Sequence, residues 1–258
     1  MTVTAKASRT GRVAALLAAL LVLATGWTPA AATTRVSATA ADLLAGLETT
    51  AEHPAGYKRT LFRHWIDADD DGCSTRAEVL IAEAQGTAQI GDDCAVSGSW
   101  RSAYDGIVTT FPGTFDIDHM VPLKEAWDSG AWAWTPTLRE RFANDLGDWR
   151  SLRAVTAGSN RSKGDRDPAD WLPPRIAFRC TYASDWIAVK ARWSLRVDPA
   201  ERDALEGLLT LCPVKTMSVT VLALATPTPT VTPTPTPGPT PSPSPVAAPL
   251  PSPSPTPA

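Results

Sequence analysis

Long apolar runs are missing from this sequence of 258 residues. The run from Val13 to Thr25 is shorter than the roughly 20 residues that cross a bilayer as a helix, and no later run reaches that length, which argues against a membrane-embedded protein. A basic excess is missing too, since the net charge is -3, and this argues against a protein that coats nucleic acid. No two cysteines have the Cys-x-x-Cys spacing that favours a structural zinc site.

Residues 1–32 have the features of a secretory signal peptide. Lys6, Arg9 and Arg12 precede the apolar run, and small residues from Pro29 to Ala32 suit a cleavage site. Cleavage would remove these three basic residues and no acidic ones, which lowers the net charge from -3 to -6. We therefore expect a secreted or cell-envelope protein with no membrane span in its mature chain; the alternative is a segment retained as an N-terminal anchor.

The four cysteines all follow the predicted signal peptide. An even number of cysteines in an exported chain predicts two disulfides, and three pairings are open. We favour Cys73 with Cys94 and Cys180 with Cys212, because each of these bonds closes a short loop.

The C-terminal part of the chain predicts a disordered tail. From Thr226 onward it is mainly Thr-Pro and Ser-Pro without charged or aromatic residues, and 14 of the 24 prolines lie in the last 32 residues. Such a segment cannot bury enough apolar surface to fold, and it suits either a stalk associated with the cell wall or a passive solubilising tail. The predicted organisation is a signal peptide (1–32), an N-terminal segment with a short helix (33–56), one domain (57–213) and the tail (214–258).

Periodicity within the domain indicates mainly helices. Apolar spacing and capping residues predict helices over residues 41–49, 75–84, 137–145, 184–195 and 199–211. Strands are predicted over residues 114–121 and 151–156. We therefore expect a mainly helical, single α+β domain.

Two polar clusters carry candidate chemistry. In the first, Asp118 can hold a hard divalent cation while neutral His119 can take a proton from water, provided that the backbone bends so that both face one site. In the second, Asn160 offers a neutral oxygen for a metal, and Arg161 and Lys163 offer positive charge for phosphate. Taken alone, the first cluster also fits a local hydrogen-bonded pair and the second a solvated loop. His53 and His64 lie in no such motif, so we assign them surface or packing roles.

Together these segments resemble the HNH, or ββα-metal, nuclease family. The resemblance lies in DIDHMVP at 116–122, the Asn144-Asp145 pair, LRAV at 152–155 and NRSKGD at 160–165. Over residues 57–213 the chain is similar to secreted bacterial HNH proteins related to the C-terminal domain of GmrSD-type restriction enzymes. The resemblance implies a ββα-metal core within the helical domain, and an endonuclease that hydrolyses phosphodiester bonds, in DNA rather than RNA.

The resemblance also implies a role for each matching residue. Asp118 and Asn160 would be ligands of one divalent metal, and His119 would be the general base. Asn144 would pin the loop near the histidine, Lys163 would lie close to the phosphate, and Asp116 would orient the site. An asparagine rather than a histidine at the last ligand position makes the metal set rich in oxygen, which favours Mg²⁺ or Mn²⁺ over Zn²⁺.

A separate set of carboxylates fits a calcium-binding loop. The pattern D-x-D-x-D-G-x5-E is formed by Asp67, Asp69, Asp71, Gly72 and Glu78. Against it, Ser74 stands where an apolar residue normally pairs two such loops, and Cys73 is assigned to a disulfide. A structural Ca²⁺ is a further expectation, in addition to the catalytic metal. A calcium-binding envelope module without catalysis and an exported cell-wall hydrolase with two carboxylates are the alternative functions.

Overall fold

The computed structural model describes residues 33–224, so the predicted signal peptide and the proline-rich segment from residue 225 lie outside the described residues. The described part is a mixed α/β fold. Its strands are β1 (Thr33–Thr39), β2 (Gln89–Ile90), β3 (Val96–Ser97), β4 (Trp100–Arg101), β5 (Val108–Thr109), β6 (Phe115–His119), β7 (Leu152–Thr156) and β8 (Thr216–Leu222). Its helices are α1 (Ala40–Ala45), α2 (Thr75–Ala82), α3 (Leu123–Asp128), α4 (Pro136–Ala143), α5 (Ala157–Lys163), α6 (Arg179–Arg192) and α7 (Pro199–Leu209).

Strands β1 and β8 pair with each other at the two ends of the described chain. They are antiparallel, and the register runs from Thr33 opposite Leu222 to Thr39 opposite Thr216. The prediction that the disordered tail begins at residue 214 is therefore wrong for residues 216–222. Val219 and Leu222 are buried against the main core, and burial of these side chains explains why this segment forms a strand.

The predicted helices are present with shifted ends. Asp198 caps α7 by accepting hydrogen bonds from the backbone N–H groups of Ala200 and Glu201, with Pro199 in the first turn, as the sequence pattern indicates. Helix α6 begins at Arg179, five residues before the predicted start, and buries Tyr182 and Trp186 in the main core. The predicted disulfides Cys73–Cys94 and Cys180–Cys212 are both present.

The segment that carries the motif folds as two strands and a helix. Strands β6 and β7 are antiparallel, with His119 opposite Leu152, and α5 follows β7 without an intervening residue. The side chain of Thr156 caps α5 by accepting a hydrogen bond from the backbone N–H of Ser159. Phe115, Ile117 and Leu152 lie in a second, smaller core together with side chains of α2. In the part of the chain that is described, no helix is both long and apolar enough to cross a membrane.

Candidate active site

A polar cavity of about 160 Å³ lies where β6 ends beside α5. Asp118, His119 and Asn160 all line it, so three of the predicted site residues lie together. Asp118 and His119 share the cavity although they are adjacent on a strand, because His119 is the last residue of β6 and the chain turns there. The bend that the sequence analysis required is therefore present.

The ring of His119 is held in one orientation. Its Nε2 atom lies 2.9 Å from the carbonyl oxygen of Ala143, at the end of α4. Because a carbonyl oxygen can only accept a hydrogen bond, Nε2 carries the proton, and Nδ1 of the neutral ring keeps its lone pair. Burial lowers the pKa of His119 to about 3, against a smaller opposing effect of the Ala143 carbonyl. The imidazole is therefore neutral at physiological pH, with its lone pair on Nδ1.

Aromatic rings surround this imidazole. The ring of Trp65 is stacked on His119 with centroids 5.3 Å apart, and Phe142 is nearly parallel to it at 6.4 Å. His64, assigned a surface or packing role from sequence, is edge-on to His119 at 6.3 Å. Trp65 has a φ of 60°, in the left-handed region that non-glycine residues rarely adopt. Sequence reasoning missed Trp65, because nothing in its local pattern marks it as a neighbour of His119.

Asp118 is buried with one carboxylate oxygen already occupied. Its Oδ2 atom accepts hydrogen bonds from the Tyr104 hydroxyl at 2.5 Å and from Nζ of Lys163 at 2.6 Å. Burial raises the pKa of Asp118, while the charge of Lys163 and the two hydrogen bonds oppose that rise. Tyr104 is fully buried and was not identified from the sequence. Both described hydrogen bonds fall on Oδ2, so Oδ1 is the oxygen that can serve a ligand in the cavity.

The expectation that Lys163 faces a phosphate is wrong. Its side chain is fully buried, and Nζ donates to Asp118 and to the carbonyl oxygens of His119 at 2.8 Å and Met120 at 2.9 Å. All three protons of the ammonium group are used in these bonds. Lys163 therefore holds the turn after β6 in place from the protein interior, and none of its N–H groups is left to bind a substrate.

Asn160 and Asp116 form a pair at the edge of the cavity. Nδ2 of Asn160 donates to Oδ2 of Asp116 at 3.1 Å, which directs the amide oxygen of Asn160 away from Asp116. The guanidinium of Arg161 lies 3.7 Å from the same carboxylate oxygen. The hydrogen bond with Asp116 fixes the orientation of the Asn160 amide. Arg59 and Arg161 line the cavity, and both are exposed, so they supply the positive charge that Lys163 does not.

Asn144 uses its whole amide group to hold the neighbouring loop. Nδ2 donates to the carbonyl oxygens of Arg63 and Glu140, both at 2.8 Å, and Oδ1 accepts from Ile66 N at 3.2 Å and from the Thr75 hydroxyl at 3.0 Å. The loop between Arg63 and Ile66 carries His64 and Trp65. Asn144 does not line the cavity. It therefore positions the surroundings of His119.

Three of the four acidic residues of the predicted calcium loop lie close together. One carboxylate oxygen from each of Asp67, Asp69 and Asp71 lies within 4.8 Å of the others. Burial raises the pKa of Glu78, and the negative charges of Asp69, Asp71 and Asp67 raise it further. Gly72, with a φ of 90°, makes the turn in this loop. Three carboxylates this close together repel each other unless a cation lies among them.

Comparison with known proteins places the chain in a family. The family model for the C-terminal domain of GmrSD restriction endonucleases matches residues 77–207. A protein of Arthroderma benhamiae named "Uncharacterized secreted protein" is 42% identical over 200 residues, which is 77% of this chain and 97% of that protein. No solved structure matches the chain.

Proposed function

Because the chain belongs to the family of the C-terminal domain of GmrSD restriction endonucleases, we propose that it is a secreted, metal-dependent endonuclease with an HNH, or ββα-metal, site. The family's name supports a nuclease that acts on nucleic acid, and we propose DNA as the substrate. The name of the fungal relative and the two disulfides support secretion. The order of β6, β7 and α5 supports the ββα-metal assignment.

One observation carries the catalytic part of the proposal. His119 donates through Nε2 to Ala143, so Nδ1 keeps its lone pair, and His119 lines the same cavity as Asp118 and Asn160. A neutral imidazole with one fixed nitrogen and one available nitrogen is suited to accept a proton from an attacking water molecule. In this proposal His119 is the general base.

The side chains fit a hard divalent cation. Oδ1 of Asp118 and the amide oxygen of Asn160 are hard oxygen donors, and their other polar atoms are held by Lys163, Tyr104 and Asp116. Two protein oxygens leave room for water and substrate oxygens, which suits Mg²⁺ or Mn²⁺. When bound, such an ion offsets the negative charge that develops on the phosphodiester during hydrolysis.

The remaining residues of the site bind the substrate or orient the catalytic side chains. Arg59 and Arg161, exposed at the cavity, attract the phosphate backbone, which reconciles the net charge of -3 of the whole chain with a nucleic-acid substrate. Lys163 and Tyr104 keep the Asp118 carboxylate in place. Asn144 holds the loop that carries Trp65 over His119.

A plasmid assay tests this function. The secreted protein is stripped with chelator and incubated with supercoiled DNA in Mg²⁺, Mn²⁺, Ca²⁺ alone or chelator, beside His119→Ala. We expect nicking in Mg²⁺ or Mn²⁺ only, and loss of nicking in the variant. Metal-independent lysis of cell walls would instead support the cell-wall hydrolase. A His119→Ala protein that nicks as fast as the wild type would overturn the assignment of the general base.

A further inference from the structure

The acidic loop of Asp67, Asp69 and Asp71, which comes just before helix α2, contains carboxylates that the proposed catalytic site does not use. Oε2 of Glu78, on the first turn of α2, is buried and has no hydrogen-bond partner among residues 33–224. A buried carboxylate oxygen without a partner is costly unless a ligand occupies its position. One carboxylate oxygen from each of Asp67, Asp69 and Asp71, in the loop just before α2, lies within 4.8 Å of the others, and within the described chain no salt bridge neutralises these three groups or Glu78.

The spacing of these groups favours Ca²⁺. The three aspartates stand at positions 1, 3 and 5 of a twelve-residue loop, Gly72 at position 6 and Glu78 at position 12. A glutamate at the last position can offer both of its oxygens to a large ion with six to eight ligands, whereas the smaller Mg²⁺ prefers a rigid octahedron with several waters. We propose that Asp67, Asp69, Asp71 and Glu78 bind one Ca²⁺, and that this ion holds Trp65 in its place against His119.

The two ends of the loop are joined to the catalytic site by hydrogen bonds. Thr75 donates through its backbone N–H and its hydroxyl to the carbonyl oxygen of Ile66, at 2.8 and 2.9 Å, and this closes the base of the loop. The backbone N–H of Ile66 donates to Oδ1 of Asn144, and the Thr75 hydroxyl, which has a single proton, also lies 3.0 Å from this oxygen. The residue before Asn144 is Ala143, whose carbonyl oxygen holds His119.

Trp65 stands at the other end of this connection. It precedes the loop by one residue, Ile66, and stacks on His119 with a φ of 60°. A backbone in that region persists only where its neighbours hold it. Because the mutual repulsion of the acidic side chains opposes a closed loop, a bound cation stabilises the closed base and thereby the position of Trp65. This second half of the proposal rests on the proposed function, since it makes Trp65 and the loop positioning elements of the nuclease site.

Calorimetry tests the ion site independently of catalysis. Chelator-treated secreted protein is titrated with Ca²⁺ in excess Mg²⁺, beside Glu78→Gln and the matched control Glu206→Gln on α7. We expect one Ca²⁺ with a dissociation constant of about 10⁻⁴ to 10⁻³ M, the range of extracellular modules. Glu78→Gln should weaken binding at least about tenfold, and Glu206→Gln should not change it. No binding by the wild type, or equal binding by Glu78→Gln, overturns the site.

Histidine resonances test the connection to the catalytic site. The chain has only three histidines, so ¹³C-labelled histidine gives three ring signals. His53 packs on Trp132 and serves as the reference, while His64 and His119 lie beside Trp65. Addition of Ca²⁺ should shift the signals of His64 and His119 in the wild type and in Glu206→Gln, but not in Glu78→Gln. Binding of Ca²⁺ without these shifts overturns the connection. A protein that shows binding and shifts but cuts no DNA would contradict the nuclease function alone.

Discussion

Nε2 of His119 lies 2.9 Å from the carbonyl oxygen of Ala143, and this hydrogen bond joins the end of β6 to the end of α4. The side-chain amide of the next residue, Asn144, forms hydrogen bonds with the loop that carries Trp65. The orientation of the imidazole and the position of the ring stacked on it are thus set from one short segment. In the proposed mechanism, this arrangement leaves Nδ1 as the proton acceptor.

Replacement of His119 by alanine should lower kcat rather than raise KM. The imidazole is proposed to act on water during the reaction, while Arg59 and Arg161 bind the phosphate, so substrate affinity should change little. We expect kcat to fall by about 10²–10⁴, the usual contribution of a general base. Steady-state cleavage of a labelled duplex in Mg²⁺ measures both constants.

His53→Ala is the matched control for this change. His53 packs against Trp132 and does not line the cavity, so its variant should cut at the wild-type rate. A large rise in KM for His119→Ala, with kcat unchanged, would contradict the role of His119 as the base.

Replacing Lys163 should lower the stability of the protein, whereas replacing Arg161 should weaken DNA binding, although the two residues are only two positions apart. Lys163→Met leaves the buried Asp118 charge without its partner, so the free energy of unfolding should fall by about 3–5 kcal/mol. Arg161→Met changes a side chain that is 77% exposed, so stability should hold while KM for DNA rises and its salt dependence weakens. Urea unfolding and cleavage assays on both variants measure these effects. If Lys163→Met were as stable as the wild type and only bound DNA more weakly, Lys163 would be a phosphate ligand after all.

The local sequence specified some elements better than others. The start of α7 at Pro199 was predicted correctly, because Asp198 and Pro199 are strong local signals for the beginning of a helix. Strand β8 was missed, since its partner β1 lies more than 170 residues earlier and only this pairing makes its apolar side chains a buried face. Periodicity did not predict helix α5, because its residues are mostly small or polar and its position is set by packing against β6.

The candidate site shows the same division. Motif spacing identified Asp118, His119 and Asn160, which do share one cavity. It did not show which way Lys163 points, because that depends on the turn after β6, where the carbonyl oxygens of His119 and Met120 converge on its ammonium group. Tyr104 and Trp65 carry no motif, and their contacts with Asp118 and His119 exist only in the folded chain.

Glu83 should make the stability of the protein depend on pH. Burial raises its pKa from 4.5 to about 7, although Arg153 and the backbone N–H of Ala154 oppose that rise. Between these two pH values the folded protein keeps a proton that the unfolded chain has released, so its stability falls as the pH rises. Glu83→Gln cannot titrate there. Its free energy of unfolding relative to the wild type should therefore increase from pH 4.5 to 7, by at most about 1.4 kcal/mol per pH unit.

Urea unfolding at several pH values checks the Glu83 prediction. The control is Glu206→Gln, a change of the same kind at a side chain that is 58% exposed, and its difference from the wild type should stay constant with pH. A constant difference for Glu83→Gln as well would show that Glu83 is ionised in the fold throughout this range.

A chain that ends at residue 213, where the sequence alone placed the end of the domain, should be less stable than one that ends at residue 224. The longer chain keeps β8, which buries Val219 and Leu222 and accepts hydrogen bonds through its Ser218 and Thr220 carbonyl oxygens from Arg150 and Arg192. Loss of two buried apolar side chains costs about 3–6 kcal/mol before any relaxation. Thermal unfolding of the two chains should therefore show a lower Tm for the shorter one. Equal Tm values would mean that β8 adds no stability to the fold, and that the pairing of β1 with β8 is dispensable.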